Sequence, residues 1–232
     1  MLSTQERQRR KGKLSKELLQ QYEELYSAFC KRGYTKSLAD QFNEIFVNNV
    51  KKPAPEDIVQ TARLYDKVHE LKSASDCLAL LEDNKKMSSD ERFAYCIESL
   101  KNRSKIGNWR DAEDFRTENI NFMQNYSVKA DMILLADMYI ALSHVDCAAR
   151  RYSAAFRLLK GFGYKPQGRN DTMLLEILIM CVYICAKSGD TGSIDNAVNN
   201  ACAALKLFDS FEFSWTRNYY ENRIVEAYNG IN

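Results

Sequence analysis

The stretch from Met173 to Phe208, MLLEILIMCVYICAKSGDTGSIDNAVNNACAALKLF, limits the fold more than any other part of this chain. Its first half is apolar on nearly every helical face, interrupted only by Glu176, and such a helix has to be covered on both flanks. The turn KSGDTGS then supplies Gly189 as a helix stop and Asp190, Thr191 and Ser193 as candidate N-caps. A second helix follows on Ile194, Ala197, Val198, Ala201, Ala204 and Leu205. The stretch therefore reads as a helical hairpin whose first helix needs neighbours on two sides.

Nine glycines and three prolines in 232 residues are too few turn formers for a many-stranded sheet, so the chain is expected to be all-α. Its 33 basic and 31 acidic residues give a net charge of +2, which argues against a surface built wholly to coat nucleic acid or an anionic membrane. The amino terminus is basic behind its first residues and lacks the apolar core of a secretion signal, so a cytoplasmic location is expected. The longest apolar run, Met173 to Ala186, is shorter than the roughly 20 residues that span a bilayer. Seven cysteines, an odd number, lie within helical patterns and are expected to be reduced and to act as small apolar side chains.

Residues 1–13 carry five basic side chains against Glu6 without an apolar period, and are expected to form a flexible basic arm. Residues 14–232 are expected to form a single helical-repeat domain. Leu18, Leu19, Tyr22, Leu25, Tyr26 and Phe29 mark a first helix ending at Gly33; Leu38, Phe42, Ile45 and Phe46 mark a second, from about Lys36 to Val50. Further helices are read on Ile58 to Val68, on Ala74 to Leu81, behind caps at Ser88, Ser89 and Asp90, from Trp109 to Phe122, from Lys129 to Cys147, and from Tyr152 to Leu159. The glycine-rich segment GFGYKPQGRND is the candidate functional loop, and an aromatic tail with Trp215, Tyr219 and Ile224 is expected to cap the last exposed face.

Turns fall near positions 33, 72, 107, 150 and 189, about 35 to 43 residues apart, which is the spacing of a helical repeat. Tyr22, Ile58, Tyr139 and Leu178 stand as a large residue early in each first helix, Ala62 at the small crossing position, and Ala74, Ala112 and Ala155 as an alanine early in the second. On these positions the chain resembles the tetratricopeptide-repeat-like superfamily. That resemblance implies a right-handed α-solenoid of about five antiparallel hairpins plus a C-terminal capping helix, with a concave face suited to a protein or peptide.

Residues that offer chemistry are few. His144 with Cys147 and Cys181 with Cys185 share helix faces at zinc-compatible spacing, but the chain has no Cys-x-x-Cys knuckle, and buried structural cysteine is the preferred reading. GYKPQGRN mimics a phosphate loop, yet Arg169 and Asn170 stand where lysine and a hydroxyl belong, and no strand precedes it. His69, the acids Glu23 and Glu24, and the group Asp111, Glu113 and Asp114 read as solvated helix faces. No catalytic residue, metal or cofactor is assigned, and the chain is read as non-enzymatic.

The expected function is a scaffold that binds a protein or acidic peptide. The alternative is a regulatory helical-repeat domain that senses a small peptide or controls a nucleic-acid-binding partner. Positions five and nine residues beyond the early position of each first helix, which in the third unit is the small residue Cys96, form the candidate groove: Ser27 and Lys31, Arg63 and Lys67, Lys101 and Lys105, His144 and Ala148, Tyr183 and Lys187. This row has several cations and no acid, a pattern that attracts an acidic ligand. Reversing Arg63 and Lys101 to glutamate is expected to weaken binding and spare the fold. The basic arm offers a further site for nucleic acid or an acidic partner.

Overall fold

The structure, a computed structural model, describes residues 14–107, 109–166, 171–208, 211 and 213–231, which excludes the basic arm at 1–13 and the phosphate-loop-like Arg169 and Asn170. Its secondary structure among these residues is helical and contains no strand, so the chain is all-α. The helices are α1 Lys16–Arg32, α2 Lys36–Asn43, α3 Pro55–Lys67, α4 Leu71–Ala79, α5 Ser89–Ile106, α6 Trp109–Ser127, α7 Met132–Ala148, α8 Tyr152–Phe162, α9 Thr172–Ser188, α10 Thr191–Lys206 and α11 Thr216–Tyr228. A π-helical turn, Glu44–Asn48, continues α2 over the range read from the sequence as one helix. None of these helices is long and apolar enough to cross a membrane.

Short polar residues start many of the helices. Backbone amides of Leu18, Leu38, Leu134 and Ser193 donate to the side chains of Ser15, Thr35, Asp131 and Asp190, each satisfying an amide that the helix itself leaves unpaired. At α5 the cap is reciprocal: Glu91 N–H donates to Ser88 Oγ at 3.3 Å, while Ser88 N–H donates to Glu91 Oε2 at 2.7 Å.

Three helical pairs, α3 with α4, α7 with α8, and α9 with α10, are joined by one turn chemistry. Glu70 N–H donates to Tyr65 O and His69 N–H to Asp66 O; Arg151 and Arg150 do the same to Asp146 and Cys147, and Asp190 and Gly189 to Cys185 and Ala186. This is the paired hydrogen-bond closure of a helix end, which needs a left-handed residue just past the helix. That residue is His69 at φ 59°, Arg150 at φ 59° and Gly189 at φ 70°. The next residue, Glu70, Arg151 or Asp190, is already the N-cap of the following helix.

The described residues divide into two compact units, one up to Asn102 and one from Arg103. In the first, Tyr22, Phe29, Phe42, Phe46, Leu64, Phe93, Ile97 and Leu100 are fully buried. Phe46 meets Phe42 at 4.7 Å and the edge of Tyr22 at 6.1 Å between ring centroids. Two polar links fix helix register: Tyr65 Oη donates to Asp40 Oδ1 at 2.9 Å, and Asn102 Nδ2 donates to Leu71 O at 2.9 Å.

In the second unit α9 is the shared wall, which is why its sequence is apolar all round. Leu175, Ile179 and Val182 pack with Ala201, Leu205, Tyr220 and Ile224 of α10 and α11. Ile177, Met180 and Ile184 pack with Ala136, Ile140, Ala155 and Leu159 of α7 and α8. Ile224 of the aromatic tail is buried in the first of these clusters, and Trp215 and Tyr219 beside it are half-buried.

Candidate functional site

Two clusters of the candidate row form in the structure, one in each unit. In the first unit Arg63 and Lys101, which hold the same repeat position on α3 and α5, converge on the carboxylate of Glu98. Arg63 Nε donates to Glu98 Oε1 at 2.8 Å and Lys101 Nζ to the same oxygen at 3.4 Å, with the Glu98 side chain only 6% exposed. The row read from the sequence held no acid; the structure adds this one. Glu98 was hidden because an acid in a helix reads as a solvated face, whereas here two cations offset the cost of its burial.

In the second unit His144 of α7 and Tyr183 of α9, again at matching positions, lie 6.0 Å apart between ring centroids. The ammonium of Lys187, an exposed residue, sits 5.9 Å from the Tyr183 ring centroid, a cation on the negative face of an aromatic ring. Burial raises the Tyr183 phenol to about 12, helped by the nearby Cys147 and Tyr152, and His144 itself is buried.

The remaining cations of the row have a local cause for their charge. Lys31, Lys67, Lys105 and Lys187 each occupy the last turn of a helix, α1, α3, α5 and α9 respectively. A cation there complements the negative end of the helix dipole. Lys31 is exposed, and Lys67 and Lys105 are half-buried; Ser27 is exposed on α1 and Ala148 is half-buried at the end of α7.

The cysteines stand as free thiols, with Cys77, Cys96, Cys147 and Cys185 buried and Cys30, Cys181 and Cys202 half-buried. Burial pushes the thiol of Cys77 up to about 11 and those of Cys96, Cys147 and Cys181 to about 12, which keeps them protonated at neutral pH and poor as nucleophiles or metal ligands. Among the described residues, no group of three or more His, Cys, Asp or Glu side chains is placed to hold a metal ion. Beside the segment read as a phosphate-loop mimic, Tyr164 Oη donates to Asp171 Oδ2 at 2.7 Å, while Asp171 Oδ1 caps α9.

Glu113, expected from the sequence on a solvated face, belongs instead to a closed ring of charges in the second unit. Arg116 on α6 donates to Glu113 Oε1 at 2.5 Å and to Asp146 Oδ1 at 3.0 Å. Arg151, the N-cap of α8, donates through Nη2 to Glu113 Oε2 and to Asp146 Oδ1, both at 2.7 Å, and through Nε to Asp146 Oδ1 at 2.9 Å. Hydrogen bonding to Glu113 is the largest cause that raises the Arg151 pKa above its ordinary value, with Asp146 adding to it against the opposing effect of burial. Two arginines and two carboxylates make the ring neutral overall, so it holds helices together without presenting a charge to a ligand.

No protein-family model matches the chain, and neither does any curated protein or solved structure.

Proposed function

We propose that the chain is a non-enzymatic scaffold that binds a protein or peptide, built as a tetratricopeptide-repeat-like array. Within each unit, helical pairs would stack as successive turns of a right-handed α-solenoid. The observation that carries the reading is the meeting of matching positions on neighbouring first helices: Arg63 with Lys101 through Glu98, and His144 with Tyr183. A repeat register assigned from the sequence makes these residues equivalent, and stacked repeats bring equivalent residues side by side. The single turn chemistry at His69, Arg150 and Gly189 supports the same register. The groove face in the second unit is then marked by the exposed Lys187 and the half-buried Tyr183, and an acidic residue of the partner fits beside Lys187.

The test is a random peptide library displayed on phage and selected on the full chain. Enriched peptides that compete with one another and are lost on Lys187→Glu or Tyr183→Ser support the reading. A set of competing peptides that bind both variants as well as the parent would remove the assigned face, and turnover of a small molecule by the purified chain would remove the non-enzymatic reading.

A further inference from the structure

The helix α6 is held unlike its neighbours. Of its 19 residues Ala112, Phe115 and Met123 are buried, whereas 17-residue α7 buries a nearly continuous run from Met138 to Cys147 and α9 buries two faces. Charged links join α6 to the helices on either side of it in the chain. Glu113 and Arg116 join it to Asp146 at the end of α7 and to Arg151 at the start of α8, and Asp111 receives Arg103 Nη1 at 2.5 Å. The guanidinium of Arg103 also lies 4.8 Å from the Phe115 ring centroid.

We propose that the ring of Glu113, Arg116, Asp146 and Arg151 is a charge clasp, and that α6 is a strap that opens from the α7 and α8 pair ahead of the rest of its unit. Salt screens partly buried ion pairs less than exposed ones but still weakens them, Arg151 being the most exposed member of the ring at 38%, while apolar packing of the kind that holds α9 is not screened. Segments with few buried apolar contacts belong to the low-stability end of local unfolding. The ring closes at one point where three helices meet, so release of both α6 members cuts the link while Asp146 and Arg151 keep each other on the α7 to α8 turn, with Arg151 Nε still 2.9 Å from Asp146 Oδ1. Phe115 and Met123 are the large side chains that α6 itself buries. The clasp makes the hold on this helix respond to ionic strength.

The experiment is amide hydrogen exchange on the full chain, comparing the parent with the Glu113→Gln, Arg116→Gln double variant, which removes both α6 members and leaves the helix formers and the Asp146 to Arg151 pair in place. Exchange across α6 is expected to speed up at least about tenfold in the variant, with α9 and α10 unchanged. Raising salt from about 0.05 M to about 1 M is expected to speed exchange across α6 in the parent in the same direction by a smaller factor, and to change the variant little. Equal acceleration in α6, α9 and α10 overturns the proposal, as does an α6 unmoved by either change. If the double variant does not fold, the salt series on the parent decides, because it compares the same two regions in one molecule.

Discussion

Arg63 Nε and Glu98 Oε1 lie 2.8 Å apart across α3 and α5, and the carboxylate is almost out of reach of water. Lys101 completes the group from one turn further along α5. The sequence expectation that reversing Arg63 and Lys101 spares the fold therefore changes: the Arg63→Glu, Lys101→Glu variant replaces both cations that meet Glu98 with carboxylates. It is expected to lose about 3 kcal/mol or more of stability, read from urea unfolding. Glu98→Gln, which keeps the shape, is expected to cost less than the charge reversal; equal losses would mean that packing and not charge sets the value.

A second expectation concerns the turns. Arg150 holds a left-handed conformation at φ 59° and its side chain is exposed. Arg150→Gly relieves the steric cost of that conformation against the greater freedom of glycine in the unfolded chain, and is expected to stabilise by about 0.5 kcal/mol. Gly189→Ala, at φ 70°, is expected to destabilise by about 1 kcal/mol. Thermal unfolding by circular dichroism compares the two; a loss at Arg150→Gly would contradict the closure described at that turn.

Alkaline pH supplies a third. Burial raises Cys77 to about 11 and Cys96 and Cys147 to about 12, from an ordinary value of 9.0. Above pH 9 the unfolded chain loses these protons before the folded chain does, so folding stability is whole below about pH 9 and falls as pH rises toward 12. Urea midpoints at several pH values between 8 and about 11 measure the slope, and Cys96→Ala is expected to flatten it. A slope identical in parent and variant would show that this thiol does not contribute.

The wall helix α9 gives the fourth. Leu175 is 0% exposed on the α10 and α11 side and Ile184 is 2% exposed on the α7 and α8 side. Leu175→Ala and Ile184→Ala are each expected to cost about 3 kcal/mol by urea unfolding. A small cost at only one site would show that one flank of α9 is loosely packed.

The elements legible in the sequence were those whose signal is local. Gly189 with Asp190, the cap at Ser88, and the all-round apolar face of α9 each announce themselves within a few residues. His69 and Arg150 perform the task of Gly189 without its chemistry, since the left-handed position is imposed there by the hydrogen bonds around it and not by the residue. The π-helical turn at Glu44–Asn48 carries no composition that separates it from the helix it extends. Glu98, Glu113, Asp146 and Arg151 were illegible for a different reason: their partners lie on other helices, and an acid's burial depends on what reaches it across space. The cations at Lys31, Lys67, Lys105 and Lys187 were legible as a row, but their position in last turns gives them a local cause that spacing alone does not reveal.

In the three recurring turns the residue that closes the hydrogen-bonded end of one helix also opens the next. There is no slack in such a joint. One added amino acid at Arg150 or Gly189 would turn the following helix by about 100° about its own axis, since an α-helix has about 3.6 residues per turn, and would aim its apolar stripe away from its mate. The segment 82–87, which is turn and coil between the buried Leu81 and the Ser88 cap, has room to loop out instead. Length changes in this protein should therefore be tolerated there and rejected at the helical joints, so that the distance from His69, Arg150 or Gly189 to the helix on either side behaves as a fixed dimension.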